Sequence, residues 1–178
     1  GLVDEAVAAR WPWICTMCGK CESVCPMEID IADVVRKVRS LRERAAVPGI
    51  LHKGLEAALE TGNNLRLPKD DYTFIIEDVA EEIAEEPGFE NFKAPIDKKG
   101  AYFFLNQNSR EPVTEPDEMV PLWKILHIAG ADWTYGSKGW AAENYCMFCA
   151  DLEAWEHIVR VKAKAVDDLG CKVWLNTE

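Results

Sequence analysis

The chain has 178 residues, of which 48% are hydrophobic and 29% charged, so it is long enough to bury one or two cores. This composition excludes collagen-like, coiled-coil and disordered chains. The formal net charge of −11 argues against a nucleic-acid partner, because phosphate backbones attract basic surfaces. The apolar runs are far shorter than the ~20 residues of a membrane span, so no direct membrane span is expected.

The first 66 residues balance nine basic against nine acidic residues, and their pattern predicts helices. A short helix is expected over residues 2–10, with residues 11–13 leading into a cysteine loop. Apolar residues at helical spacing predict a second helix from Ile31 to Leu41, with Asp30 as its N-cap and its apolar stripe against that loop. A third helix is expected from Ile50 to Thr61. The other face of the second helix is basic, and these residues would raise the potential of a nearby cluster or dock an acidic partner: Arg36, Lys37, Arg39, Arg42 and Arg44.

The remaining 112 residues carry the whole acidic excess. An acidic helix is expected over residues 72–86, with its charged side chains on a solvated face, and a linker to Gly100 follows it. Strands over residues 101–105, 131–135 and 171–175 alternate with helices over residues 118–129 and 152–169, which predicts a parallel α/β layer. We therefore expect an α+β protein with a helical domain over residues 1–66, an acidic helix and linker over 67–99, and an α/β domain over 100–178.

Four cysteines are crowded between Cys15 and Cys25, in the pattern C-x2-C-x2-C-x3-C-P. Spacings of two residues let one loop wrap three thiolates around a small iron–sulfur cube, which predicts a [4Fe–4S] cluster on Cys15, Cys18 and Cys21. Gly19 suits such a loop, because a backbone close to a cluster has little room for a side chain and favours positive φ. The alternative is structural zinc, which usually takes two separated cysteine pairs.

The sequence leaves two roles open for Cys25, the cysteine before Pro26. In one it completes the first cube, and in the other it ligates a second cluster, as in two-cluster proteins with this motif. Since only one copy of the motif is present, the second arrangement requires further ligands from outside this chain. We predict that Cys25 faces a neighbouring, shared cluster.

A second cysteine pair, Cys146 and Cys149, forms C-x2-C and is expected just before a helix. Helix N-terminal amides lower a thiol pKa, so this pair is a candidate for metal ligation, redox exchange or catalysis. The alternative is two small apolar residues that pack a core.

The segment from Trp11 to Pro26, followed by Ile29 to Arg36, resembles the second of two ferredoxin-type motifs in the C and D subunits of heterodisulfide reductase and their DsrK- and HmcF-type relatives. The resemblance implies a first motif upstream of Gly1, so the chain is expected to be a fragment. It also implies a cysteine-rich α/β domain, incomplete at its C-terminus, with an additional iron–sulfur centre near Cys146 and Cys149.

The most economical function is therefore that of an anaerobic iron–sulfur electron-transfer subunit, on the cytoplasmic side, within a multi-subunit oxidoreductase. The resemblance implies other redox subunits as partners, among them a membrane cytochrome-type subunit, and a thiol or disulfide substrate. One rival is a zinc-stapled interaction module without redox activity. Another is a complete disulfide reductase, in which Cys146 and Cys149 bind a second centre with ligands beyond Glu178.

Overall fold

The computed structural model describes residues 4–177, which divide into two compact units. The first unit comprises the described residues up to Leu55 together with Asn144–Trp155, so it is discontinuous in sequence. The second comprises Glu56–Glu143 and the described residues from Glu156 onward. None of the helices in the described part is long and apolar enough to cross a membrane. The mixture of helices and a parallel sheet confirms the predicted α+β class.

The helices, in chain order, are α1 (Glu5–Ile14), α2 (Lys20–Ser23), α3 (Ile31–Ser40), α4 (Gly49–Thr61), α5 (Lys69–Ala84), α6 (Glu111–Thr114), α7 (Met119–Ile128), α8 (Tyr145–Cys149) and α9 (Leu152–Leu169). The strands are β1 (Phe103–Asn108), β2 (Trp133–Tyr135), β3 (Ala141–Ala142) and β4 (Val173–Asn176).

The first helix is longer than its sequence pattern predicted. The side chain of Asp4 accepts hydrogen bonds from the backbone N–H of Ala6 and Val7, which caps α1. The helix then runs through residues 11–13, which were expected to follow it and lead into the cysteine loop, and ends at Ile14 with Pro12 buried inside it. Residues 2 and 3 of the predicted helix lie outside the described residues.

The helix α3 begins where its cap predicted, and part of its predicted apolar stripe is buried. The Asp30 side chain accepts a hydrogen bond of 2.8 Å from the backbone N–H of Asp33. Val35 is buried as expected, whereas Val34 and Leu41 of the predicted stripe are exposed. Arg39, which was expected on the basic outer face, is only 3% exposed. A charged side chain is therefore buried at a position that the apolar pattern predicted to face solvent.

The sheet of the second unit is built around β1, which pairs in parallel with β2, β3 and β4. Phe103 of β1 lies opposite Trp133 on β2 and Val173 on β4, so the carboxyl ends of these three strands share one edge of the sheet. The parallel layer agrees with the prediction. The two-residue strand β3 was not predicted, because a two-residue strand leaves no periodic pattern in the sequence.

The helices α5 and α7 bury an aromatic core against this sheet. The acidic side of α5 is exposed, as predicted, whereas its apolar side buries Tyr72, Ile76 and Ile83 almost completely. The Tyr72 ring stacks on Trp140 with ring centroids 4.1 Å apart. Buried rings with a hydroxyl or an indole N–H need polar partners, and the indole N–H of Trp123 on α7 donates to the Tyr135 hydroxyl at 2.9 Å.

Candidate metal centre

The first four cysteines lie on the loop and short helix between α1 and α3. Cys15 directly follows α1, Cys21 lies within α2, and Cys25 lies two residues after α2 ends. Cys18 and Cys21 are exposed, whereas Cys15 and Cys25 are half-buried. All four are free thiols.

Backbone amides point at three of these sulfurs in a regular way. The N–H of Met17 donates to Sγ of Cys15 at 3.3 Å. A hydrogen bond from the backbone of Lys20, and a second from the Thr16 hydroxyl, lower the pKa of Cys18. At these two cysteines the amide belongs to the residue two positions later, and such bonds favour the thiolate, which is the form that binds metal.

The sulfur of Cys25 follows the same rule. Hydrogen bonds from the backbone of Ile29 and of Met27 lower the pKa of this thiol, and Met27 again lies two positions after the cysteine. Three of the four sulfurs in the motif therefore accept hydrogen bonds from the main chain. Amide hydrogen bonds to sulfur are one of the means by which a protein sets the potential of an iron–sulfur cluster.

Residues with a left-handed backbone conformation orient these N–H groups towards the cysteine sulfurs. Met17, Gly19 and Glu28 have φ values of +55°, +74° and +53°. Alternation of right- and left-handed residues makes concave nests of N–H groups that bind anions and iron–sulfur clusters. The predicted positive φ of Gly19 is confirmed.

The four thiols and the orientation of the amides fit an iron–sulfur cluster. The cysteine side chains themselves are not close enough together to form a metal site. Within residues 4–177, no three Cys, His, Asp or Glu side chains converge closely enough to hold a metal ion. The two exposed cysteines are Cys18, on the loop, and Cys21, on α2. Cys15, Cys18, Cys21 and Cys25 are the residues that would hold the group.

Arg39 joins the cysteine loop to the second cysteine pair, and its sequence pattern gave no sign of this role. Its guanidinium donates to the carbonyl oxygens of Pro12 at 2.6 Å, Cys15 at 2.5 Å and Phe148 at 2.8 Å. It also lies over the ring of Trp13, 5.1 Å from the centroid. Burial lowers the pKa of Arg39, while the nearby thiols of Cys15 and Cys149 oppose that shift. The guanidinium thus brings a positive charge to the backbone of the cysteine loop.

Cys146 and Cys149 lie in the same unit as the cysteine loop, in a local setting that was only partly predicted. They lie before the helix α9 as predicted, but they are themselves part of the short helix α8, and both are buried. Burial raises the pKa of Cys149 to about 11, with the negative charge of Asp151 as the next cause. The expected lowering of the pKa by a helix N-terminus is therefore wrong for Cys149.

Close packing and an ion pair hold α8 and the start of α9 within this unit. The ring of Tyr145 packs so tightly on Gly54 of α4 that a Cβ at Gly54 would lie 2.5 Å from it. Arg44 forms an ion pair with Asp151 at 2.5 Å. The structure thus gathers all six predicted cysteine ligands into one unit, while Cys171 lies in the other.

Known proteins with similar sequences are iron–sulfur subunits of redox enzymes. The chain is 32% identical over 66 residues to the C subunit of the H2:CoB–CoM heterodisulfide, ferredoxin reductase of Methanothermobacter marburgensis, and this match spans 36% of either protein. It is 31% identical over 138 residues to the Hdr-like menaquinol oxidoreductase iron–sulfur subunit of Archaeoglobus profundus, covering 75% of the chain and 25% of that protein. It is 24% identical over 136 residues to the C iron–sulfur subunit of the CoB–CoM heterodisulfide reductase of Methanopyrus kandleri, covering 76% of the chain and 62% of that protein.

The cysteine motif and these similarities place the chain in the class of iron–sulfur redox proteins. The resemblance to heterodisulfide reductase iron–sulfur subunits that the motif predicted is confirmed. The chain spans only about a third of the Methanothermobacter relative and a quarter of the Archaeoglobus relative. No family model matches the chain, and no solved structure matches it.

Proposed function

We propose that the chain is an electron-transfer part of a multi-subunit redox complex, with a [4Fe–4S] cluster on Cys15, Cys18 and Cys21 and with Cys25 directed to a neighbouring, shared cluster. When bound, such a cluster supplies one-electron transfer. The protein's own contribution is the amide donors, the Arg39 charge and the partial burial of the loop. In this proposal, electrons pass to or from a site where a thiol or disulfide is handled, as the names of the heterodisulfide reductase relatives suggest.

The observation that carries this proposal is the cysteine loop, where the N–H of Met17 donates to Sγ of Cys15 and backbone donors lower the pKa values of Cys18 and Cys25. A structural zinc site also uses N–H donors, but it closes around two separated cysteine pairs. Here three cysteines at two-residue spacing stand on one continuous loop with left-handed turns. That arrangement supports a cube more than a tetrahedral ion.

Exposed apolar side chains support the inclusion of other redox subunits as partners. Large exposed apolar patches on a protein mark interaction sites. Eleven large apolar side chains of the first unit, among its described residues, are at least 45% exposed. They are Val7, Ile14, Val24, Met27, Ile29, Val34, Leu41, Ile50, Met147, Leu152 and Trp155.

The proposal also includes a cytoplasmic location and a position of the second cysteine pair beside the electron path. Seven free cysteines suit a reducing, cytoplasmic compartment, in which thiols are kept available for metal. Cys146 and Cys149 are proposed to lie beside the electron path, because Arg39 bonds both to the Cys15 carbonyl and to the carbonyl of Phe148, between the two cysteines. A membrane cytochrome-type subunit is the partner that we propose as electron donor or acceptor.

Metal and sulfide analysis of the anaerobically purified chain tests the proposal. We expect iron and acid-labile sulfide in equal amounts and a brown chromophore. Cys18→Ser should remove the chromophore, because Cys18 supplies one of the three thiolates that this chain is proposed to give the cluster. Cys171→Ser, in the other unit, is the matched control and should keep it.

The same measurement separates the rival functions. Zinc without sulfide would replace the proposal by the zinc-stapled interaction module. Unchanged iron and sulfide in Cys18→Ser would remove this residue from the ligand set. A paramagnetic signal that appears only after addition of a disulfide substrate would favour a complete reductase over a relay.

A further inference from the structure

A cavity of about 370 Å³ opens at the carboxyl edge of the sheet in the second unit. Its walls come from α6 and the start of α7 on one side, and from the carboxyl ends of β2 and β4 on the other. Ligands of open parallel sheets bind outside the carboxyl ends of the strands, and small-molecule sites have volumes of about 300–1,000 Å³. The cavity therefore has the position and the size of a site for a small molecule.

Gln107, near the end of β1, lies on the face of the sheet that borders this cavity. Leu105 pairs with Tyr135 on β2 and with Leu175 on β4, and both of these partners line the cavity. Thr177 also lines it and donates from its backbone N–H to β1 at 3.2 Å, so it continues the ladder opposite Gln107. Alternate residues of a strand share one face, so Leu105 and Gln107 point to the same side.

The side chain of Gln107 is buried without a hydrogen-bond partner. It is 1% exposed, and neither its Oε1 nor its Nε2 has a partner among the described residues. The hydroxyl of Tyr72 on α5 is in the same condition, and Tyr72 is 0% exposed. Buried polar groups are almost always hydrogen-bonded, because an unpaired one has lost its hydration without a replacement. These two groups therefore point to a ligand.

The two groups lie near one another and near the cavity wall. The ring of Tyr72 stacks on Trp140, and the carbonyl oxygen of Trp140 accepts a hydrogen bond of 3.0 Å from the backbone N–H of Gln107. Burial raises the pKa of Tyr72, and nearby acidic groups that include Glu111 of the cavity wall add to this rise. The unpartnered hydroxyl thus keeps its proton and remains a hydrogen-bond donor.

The rest of the lining selects the charge and the shape of the ligand. Glu111 and Glu118 are the charged residues in the described part of the walls, so the cavity repels anions. Met119 and Leu122 add apolar surface. The amide of Gln107 presents a donor beside an acceptor, and such a group pairs through two hydrogen bonds with a molecule of the same kind, as glutamine does with adenine.

We propose that this cavity binds a small uncharged molecule with neighbouring donor and acceptor groups, a carboxamide or an aminoheterocycle, which pairs with the amide of Gln107 and rests its apolar body on Leu122. No hydrogen bond holds this amide in place, so its rotation towards the ligand breaks none. The inference goes beyond electron transfer and does not depend on a cluster.

Calorimetric titration of the full chain with four ring compounds tests this site. Benzamide has both the donor and the acceptor, N,N-dimethylbenzamide keeps only the acceptor, and benzoate has the shape of benzamide with a negative charge. Adenine has the donor–acceptor edge of an aminoheterocycle. We expect saturable binding of benzamide or adenine, and binding of N,N-dimethylbenzamide and benzoate that is weaker by about tenfold or more. The tighter of the first two identifies the group that the site prefers.

Variants locate the site. Gln107→Met removes the amide at nearly constant volume and should weaken the preferred probe by about tenfold or more, because two hydrogen bonds are lost. Asn91→Met removes an exposed amide of the same unit that does not line the cavity, and it should leave the affinity unchanged. Glu118→Gln alters an exposed residue of the wall, so it reports on the site even where Gln107→Met fails to fold. At low salt it should strengthen the binding of benzoate and leave that of benzamide unchanged.

The proposal is overturned if neither benzamide nor adenine binds at millimolar concentration, or if N,N-dimethylbenzamide or benzoate binds equally well. It is also overturned if Asn91→Met weakens binding as much as Gln107→Met does, or if Glu118→Gln leaves the preference for benzamide over benzoate unchanged. The readout is the heat of ligand binding, so failure here would leave the iron and sulfide test of the proposed function unaffected.

Discussion

Arg39 donates a hydrogen bond of 2.5 Å to the carbonyl oxygen of Cys15, the first cysteine of the motif. The same guanidinium satisfies the carbonyl oxygens of Pro12 and Phe148. A buried arginine that serves three main-chain acceptors fixes the backbone from which the cysteine loop departs. The loop is therefore held from the side of α3 as well as by its own turns.

Replacement of Arg39 by methionine should destabilise the chain by about 2–4 kcal/mol, because it leaves three carbonyl oxygens short of a donor. Urea unfolding followed by tryptophan fluorescence measures this loss. Arg36→Met is the matched control, since Arg36 is an exposed residue of the same helix, and it should change stability by no more than ~0.5 kcal/mol. Equal effects of the two substitutions would contradict the role given to Arg39.

Arg39→Lys is a finer test of the same residue. Lysine keeps the charge but cannot reach three carbonyl oxygens with a planar fork. We expect the variant to recover part of the stability and to assemble the chromophore with a shifted midpoint potential in a redox titration. A potential identical to that of the unmodified protein would assign Arg39 a purely structural role.

Cys149 should be alkylated slowly in the folded chain at pH 8, because the residue is only 4% exposed and burial raises its pKa to about 11. Mass spectrometry after iodoacetamide treatment measures the labelling, and exposed Cys18 of the metal-free chain serves as the fast reference. Rapid labelling of Cys149 at pH 8 would show that the α8 helix opens in the native state.

The raised pKa of Cys149 also sets the sign of a pH effect on stability. The folded state retains a proton that the unfolded state has lost between the usual pKa of 9.0 and about 11. The free energy of unfolding should therefore fall as pH rises through this interval. Cys149→Ala should lack this part of the fall, and identical pH profiles for both proteins would disprove the assignment.

Tyr135→Phe should cost about 1–3 kcal/mol, because it leaves the buried indole N–H of Trp123 without its acceptor. Burial raises the pKa of Tyr135, so its phenol should stay protonated throughout the alkaline range in which the chain is folded. Tyr102→Phe is the control, as Tyr102 is half-exposed, and it should be nearly neutral. Thermal unfolding measures both.

Cys25 should bond to an iron of a different centre from the one on Cys15, Cys18 and Cys21. Diffraction at the iron edge from crystals of the holo complex checks this assignment. A single iron–sulfur centre that is bonded to both Cys15 and Cys25 would show that the motif closes on itself.

Local chemistry explains why part of this structure was predictable. The Asp30 cap, the helix that it starts and the parallel order of the long strands all follow from short-range patterns and were predicted. The motif spacing likewise predicted the family. The cap and the helix depend on residues a few positions apart, and the parallel pairing was predicted from the alternation of strand and helix patterns along the chain.

The features that were missed depend on distant partners. Arg39 follows the helical pattern of an outer face, and its burial arises from carbonyl oxygens that include that of Phe148, 109 residues later. Cys149 has a raised pKa because of burial, which the C-x2-C spacing does not reveal. The acidic side of α5 is exposed as predicted, whereas the burial of its apolar stripe depends on packing against distant residues and was not predicted.

The hydrogen bond from Arg39 to Phe148 also bears on the order of assembly. Synthesis begins at the N-terminus, so the cysteine loop leaves the ribosome long before its last structural neighbour, and a ~100-residue lag corresponds to roughly 5–20 s at ordinary elongation rates. During this interval the loop has four thiols but lacks the helix α8 that packs beside it. Cofactor insertion before release would thus meet an open loop, whereas insertion after release would meet one already restrained by Arg39.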